Sequence, residues 1–395
     1  MSEAVDDWAT DYDVFDPAYV AAPYPIWDGL RERCPVAHTD RFGGSWMPTT
    51  YADVTAVARD VGHFSSRDIS VVPATPGDDL LPAGLPPISA DPPEHTWTRR
   101  LLLPWFSPNR VSEYEVYTRA LCRQLVDDML SEGRADAAVD YAQQIPVRVI
   151  GLVLGVPDSM ADVFTGWVRD VLEFAHDAER RDRARGEVVT YFLGEMESRR
   201  NGDGTDLISS LLRTEVDGVP VSDAHVLGTV ALTLVAGADT TWSGIGSSLW
   251  HLATHAEDRR RLVAHPELIP TAIEEFLRAY SPVTMARIVA SDVEFQGCPM
   301  REGDRVLLSF GAANRDPEAF PNADEVIIDR EINRHVAFGA GIHRCAGSNL
   351  ARMELRVAVE EWLARIPEFE LDPDREVTWA GGQVRGPRQL PVLFG

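Results

Sequence analysis

The stretch FGAGIHRCAGSNLARME, Phe338 to Glu354, decides how the rest of the chain is read. Gly339 and Gly341 precede Cys345 in a loop. After it, Leu350, Met353, Leu355 and Val357, with charges between them, have helical spacing. Cys345 therefore lies where a glycine-shaped loop enters a helix. The free N–H groups of a helix start favour a thiolate. Glycine on both sides lets the backbone approach something flat and bulky. A cysteine placed this way can bind a metal, act as a nucleophile, or simply fill a glycine-rich turn.

Composition narrows the choice. The chain has 395 residues, 45% of them hydrophobic and 25% charged, which suits a globular protein with a large core. No internal repeat, low-complexity tract or flexible linker interrupts it, so residues 1–395 are expected to form one domain, with 1–22 as an acidic, loosely ordered segment. Cys34, Cys122, Cys298 and Cys345 are scattered, with neither CxxC nor zinc spacing, which argues for a reducing, cytoplasmic setting. The start of the chain has no apolar run, so neither a signal peptide nor a membrane anchor is expected. The longest apolar run, Val226 to Ala238, is too short to span a bilayer. A net charge of −25 disfavours nucleic acid as a partner.

Along the chain, Val36–Thr39 and Gly44–Pro48 read as strands and Tyr51–Asp60 as a helix. Residues 65–90 form a long loop that is rich in Pro and Gly yet carries Ile69, Val71, Val72, Leu80, Leu81, Leu85 and Ile88. Residues 110–200 read as amphipathic helices broken at Gly133, Pro146, Gly155 and Gly186, with an apolar face that includes Phe164, Trp167 and Phe174. Asn201 to Asp223 is a polar connector with an Asp217-Gly218 turn. Ser222 then caps a helix running to about His255, roughly 50 Å long at 1.5 Å per residue and apolar nearly all round. Gly237, Asp239, Thr240 and Thr241 in its middle contradict helix propensity, and such local conflicts often mark function. Val377 to Phe394 reads as strands.

Phe338-x-x-Gly341-x-His343-x-Cys345-x-Gly347 resembles the haem-binding loop of the cytochrome P450 family. Three more motifs, in order and correctly spaced, share the resemblance, which covers the chain from about Pro23 onward: His95-x-x-x-Arg99, Ala236-Gly237-Ala238-Asp239-Thr240-Thr241, and Glu275-x-x-Arg278. The resemblance implies a mainly α, single-domain fold with a small β region that holds one haem b.

The resemblance also implies roles. Cys345 would be the thiolate ligand of the haem iron, a ligation that favours O–O cleavage. Phe338 would pack beside the sulfur, while Gly339, Ala346 and Gly347 would let the backbone lie against the porphyrin. His95, Arg99, Arg287 and His343 would hydrogen-bond the propionates, arginine's planar fork being suited to carboxylate. Ala236 and Gly237 would make room for dioxygen, and Asp239 and Thr240 would deliver protons. Glu275, Arg278 and Arg330 would form a buried structural network, with Val326 departing from an expected Phe. Residues 65–90 would act as a lid. Substrate contacts are expected from Ile69, Val71, Leu85, Phe174, Leu234, Val283, Met285 and Trp379, with Gln383 as a further candidate.

The implied reaction is monooxygenation of a hydrophobic small molecule: hydroxylation, epoxidation or dealkylation. No flavin or iron–sulfur motif is present, so electrons would come from a ferredoxin or flavodoxin with its NAD(P)H-dependent reductase. Such partners are acidic, so a local basic patch of Arg99, Arg100, Arg110, Arg344, Arg352 and Arg356 is expected on the cysteine face of a protein read as a monomer. The alternatives are a peroxide-using peroxygenase and a haem sensor or carrier without turnover.

Overall fold

The long buried helix organises the packing. In the computed structural model, which describes residues 4–73 and 80–395, it runs Asp223–Thr254 without a break. Ser222 caps it, accepting from the His225 N–H. Most of its residues are buried, as expected for a helix apolar on all faces. The helix Gln144–Leu154 crosses it closely enough that a Cβ on Gly237 would sit 2.7 Å from Ile150. On another face it meets the helix Ser348–Arg365, which follows Cys345; a Cβ on Gly244 would come within 3.2 Å of Leu355. Ser348–Arg365 in turn lies along Pro108–Met129.

A five-stranded sheet occupies the other side of the molecule, in the order Val36–Thr39, Ser45–Pro48, Arg305–Ser309, Thr284–Val289, Phe64–Ser65. Its pairs are antiparallel except the contact between Ser45–Pro48 and Arg305–Ser309. Thr284–Val289 carries Met285 and Arg287 past the cavity described below. The C-terminal strands Thr378–Ala380 and Gly386–Gln389 form a hairpin against the long helix, with Gly386 pressed on Ser243.

Several sequence expectations need correction. Residues 4–22 are not loose: Tyr12, Val14 and Tyr19 are buried in a cluster with Trp27, Leu30 and Met47, and Tyr12 Oη lies 2.6 Å from Ser45 Oγ. Pro146 does not break a helix; it occupies the first turn of Gln144–Leu154, where its missing N–H leaves no bond unmade. Gly186 lies inside the continuous helix Ala178–Arg199. Gly133 and Gly155 do end helices, at φ of +63° and +75°. The connector 201–223 contains a helix, Leu207–Leu212, and a hairpin turning at Asp217-Gly218.

The buried acid–base network is as expected. Glu275 and Arg278 are both fully buried; Arg278 donates to Glu275 at 2.7 and 2.8 Å, and Arg330 Nε donates at 3.0 Å. Arg278 also donates to the carbonyls of Asn314, Ala323 and Glu325, fixing the loop that leads to the cysteine segment. Removing one partner of such a pair typically destabilises by about 3–5 kcal/mol, because the other is left as a buried unpaired charge. Val326 packs on the main core at the edge of this loop.

Candidate active site

The cysteine loop is built by glycines that the backbone requires. Gly339 and Gly341 have φ of +72° and +70°, and a Cβ on Gly341 would strike the Ala58 carbonyl at 2.6 Å. The Cys345 N–H donates to the Phe338 carbonyl at 2.8 Å, closing the loop beneath the sulfur. The Phe338 ring is covered on its other side by the Arg352 guanidinium, 4.4 Å away. Cys345 is enclosed by protein yet accessible from within, because it faces a cavity of about 210 Å³. Burial pushes its thiol up, while the Gly347 N–H and the charges of Arg99, Arg344 and Arg352 pull it down.

Across the cavity stands the middle of the long helix, with Ala236, Gly237, Thr240 and Thr241 in the wall. Ala236 is exposed to this space although it sits mid-helix in the core. Thr240 donates its hydroxyl to the Ala236 carbonyl at 2.9 Å. The glycine at 237 serves the close helix crossing at Ile150 as well as the cavity, so room for a small molecule comes chiefly from Ala236.

Basic groups gather at one edge. His95 and His343 have ring centroids 4.3 Å apart, and the Nε2 atom of each is buried without a hydrogen-bond partner among the described residues. Burial, reinforced by Arg287, His95 and Arg99, pushes His343 down to about 3. Arg287 is buried, donates only to the carbonyl of Ala286 among the described residues, and is pushed down to about 10 by burial. Arg99 lines the cavity and donates to the Arg344 carbonyl. Orphaned imidazole nitrogens beside a buried guanidinium are what two propionate carboxylates would satisfy. A flat apolar slot between a cysteine and a helix notch, edged by these groups, fits a haem.

Asp239 does not line the cavity. It is 1% exposed and faces away from the cavity, and Arg388 Nη2 lies 2.9 and 3.0 Å from its two oxygens. Burial raises its carboxyl, opposed first by Arg388. Arg388 also donates to Ser243 Oγ and to Glu173, and Glu173 pairs with Arg169 at the surface. Arg388, Glu173 and the buried Glu354 were not singled out from sequence. An arginine in a short C-terminal strand that is otherwise buried was the available signal for the first. Glu354 lines the cavity with Oε1 unpartnered among the described residues, and burial alone pushes it well above the ordinary carboxylate range.

A second chamber of about 160 Å³ adjoins the first, sharing Ile88, Leu232, Ala236, Thr240, Val283 and Met285. Of the expected substrate contacts, Ile69, Leu85, Val283 and Met285 line it, as does Gln383. Four do not. Val71 is buried in the N-terminal cluster, its neighbour Val72 facing the chamber instead. Phe174 lies under the Arg180 guanidinium at 3.5 Å, while Val171, Leu172 and Ala175 face inward. Leu234 turns into the core between the lining residues Leu232 and Val235. Trp379 packs edge-on against Trp250 and under Arg385. Part of the expected lid, residues 74–79, lies outside the described residues.

The comparisons agree with this geometry. The family described as Cytochrome P450 matches residues 162–379. This chain belongs to the cytochrome P450 family. It is 36% identical to the mycinamicin IV hydroxylase/epoxidase of Micromonospora griseorubida, over 89% of each chain. It is 35% identical to the vitamin D(3) 25-hydroxylase of Pseudonocardia autotrophica, over 97% of this chain and 96% of that one. The structure of the Bacillus subtilis bacillaene polyketide synthase cytochrome P450 PksS superposes with a TM-score of 0.88 at 30% identity, covering 97% of this chain and all of the other. The protein is thus a bacterial-type haem-thiolate P450 monooxygenase with haem b as its cofactor. Among the described residues no helix is long and apolar enough to cross a membrane.

Proposed function

We propose that this P450 inserts one atom of dioxygen into a hydrophobic small molecule, by hydroxylation, epoxidation or dealkylation, with electrons from a ferredoxin or flavodoxin and its NAD(P)H-dependent reductase. For a hydroxylation, two electrons, two protons and dioxygen convert C–H to C–OH and release one water. Haem, when bound, supplies the redox iron at which dioxygen is activated.

The residue roles follow. Cys345 holds the iron through its thiolate, and the Gly347 N–H and nearby arginines stabilise the negative sulfur. His95, His343 and Arg287, with Arg99 at the cavity edge, hold the propionates. Thr240 can turn its hydroxyl from the Ala236 carbonyl into the cavity, where it donates a proton. Asp239 resupplies it, its carboxyl held by Arg388, which also bonds Glu173 near the surface. The apolar walls of the second chamber orient the substrate and exclude water. The relatives named above act, by their names, on mycinamicin IV and vitamin D(3), and an apolar chamber suits hydrophobic molecules of that kind. Four free cysteines suit a reducing cytoplasm.

The observation that carries this reading is the Cys345 sulfur facing Ala236 and Thr240 across one slot edged by unpartnered basic groups. Its test is the absorption of the reduced protein with carbon monoxide, beside Cys345→Ser. A strongly red-shifted Soret band in the wild type, lost in the variant, is expected. A band at the histidine-ligated position, or one unchanged in the variant, would remove Cys345 from the role.

A further inference from the structure

The second chamber has hydrocarbon walls, made by side chains such as Ile69, Val72, Leu85 and Val235. Polar residues interrupt them: Ser70, Arg181, Arg185, Thr240 and Gln383. Thr240 bonds the Ala236 carbonyl and belongs to the reacting end, since it lines the haem slot as well. Arg181 donates to the Ala175 carbonyl at 3.0 Å and to Asp182 at 2.9 Å, and Arg185 faces Asp182 too, so protein groups already answer both charges. Ser70 is fixed through its main chain by Asp68 and Arg305, and adds a hydroxyl to the wall.

Gln383 is matched poorly. It is 9% exposed, and among the described residues its amide makes one bond, from Nε2 to the Met285 sulfur at 3.6 Å. A thioether is a weak acceptor and has no proton to give, so the nitrogen is the amide atom that faces it. No donor reaches Oε1 among the described residues. The main chain here is clamped: the Gln383 carbonyl accepts from the Thr284 N–H at 3.0 Å, Val384 bridges Val283, and the Arg385 N–H donates to the Pro282 carbonyl at 2.7 Å. Val283 and Met285 line both spaces, whereas Gln383 lines the second chamber alone. A rigidly held amide with one weak bond has lost hydration that the protein does not replace. A hydroxyl entering the chamber can accept from Nε2 in place of the sulfur, or donate to Oε1, and so offset that loss.

Resting on the monooxygenase reading, we propose that the substrate is a neutral, largely hydrocarbon molecule that already carries a hydroxyl, and that the Gln383 amide binds this hydroxyl while another part of the molecule reaches Thr240. Oxidation then falls on a carbon other than the one bearing the hydroxyl. Gln383 is a specificity determinant in this scheme and takes no part in proton delivery.

The test is binding to the haem-loaded protein, read by titration of the Soret absorption. Borneol, menthol and cholestanol are each compared with bornane, menthane and cholestane, for wild type and Gln383→Met, with Gln383→Leu as a second variant. Methionine keeps the length of the side chain and removes its hydrogen bonding. Alcohol and hydrocarbon differ in hydration, so the readout is the change in their Kd ratio between proteins, a difference that cancels what the probes do in water. Expected, in at least one skeleton, is a loss of at least fivefold for the alcohol relative to its hydrocarbon in both variants, the scale of one neutral hydrogen bond. A smaller loss in every skeleton, a shift toward the alcohol, or no binding of any alcohol to the wild type overturns the proposal. The carbon monoxide spectrum, taken on each protein, separates the two readings. A normal thiolate band without the change in ratio defeats only the hydroxyl assignment, and an absent band in the wild type defeats the haem assignment itself.

Discussion

Asp239, proposed above as the proton source for Thr240, is a costly residue to bury. Its carboxyl is sealed in the core and raised by burial, with Arg388 as the chief opposing influence. A group that only stabilised the fold would be better replaced by an apolar one, since buried ion pairs give little net stability. Asp239→Asn keeps the shape and a hydrogen-bond acceptor for Arg388 but cannot hand on a proton. Product formation should fall by about 100-fold, the scale of one positioned proton donor. Substrate affinity and the carbon monoxide band should stay as in the wild type. An activity within twofold of wild type would take Asp239 out of the proton path. The sequence signalled Asp239 itself, because an acid beside two threonines in mid-helix violates propensity. It could not signal Arg388, which lies 149 positions away and meets Asp239 only through tertiary packing. The same limit misplaced Phe174 and Leu234. Helical spacing identifies an apolar face, but a half-turn decides whether a side chain meets the chamber or a neighbouring helix.

At the scale of elements, the helix Ser348–Arg365 combines two jobs. Its start presents Cys345 and Gly347, and its second turn brings Glu354 into the same cavity wall. Glu354 has no charged partner among the described residues, and burial alone raises its carboxyl well above the usual value of 4.5. A carboxyl raised on folding contributes stability that is present below its unfolded pKa and lost as pH rises through the higher folded value. Wild-type protein should therefore lose melting temperature as pH is taken above neutrality toward 9. Glu354→Gln, nearly isosteric with the neutral acid, should lose less over that interval. Parallel pH profiles for the two proteins would mean that Glu354 ionises freely. Long elements with one dominant period were legible: the buried helix from Ser222 and the strand Val36–Thr39 fall where the pattern put them. Breaks were less so. Pro146 and Gly186 look like interruptions in the sequence, but a first-turn proline loses no hydrogen bond and one glycine in a 22-residue helix is outweighed by packing.

Across the whole molecule, a net charge of −25 would have to coexist with the acidic electron donor proposed above. Local positive surface near Cys345 was the expected answer, and the structure divides the six arginines by what already holds them. Arg352 is paired with Glu274 at 2.6 and 2.8 Å, and Arg356 with Glu115 and Glu360. Arg110 lies on the rings of Trp105 and Tyr114 and pairs with Glu113. Arg352 and Arg356 tie the cysteine-bearing helix to its neighbours, and the fields of all three are largely cancelled locally. Arg99 is turned inward to the Arg344 carbonyl. Arg100 and Arg344 remain exposed. Steering of a partner depends on uncompensated charge and is screened by salt over about 10 Å at 0.1 M. Arg100→Glu and Arg344→Glu should therefore each slow reduction by an acidic ferredoxin, by about tenfold at low salt, and flatten its dependence on ionic strength. Arg352→Glu should act differently: it strands Glu274 beside a second carboxylate, so the melting temperature should drop at every salt concentration. Stopped-flow reduction measured from 20 to 500 mM salt separates the two effects. If Arg100→Glu and Arg344→Glu left both rate and salt slope unchanged, docking would have to use another face, and the exposed charges near Cys345 would be ordinary solvated surface.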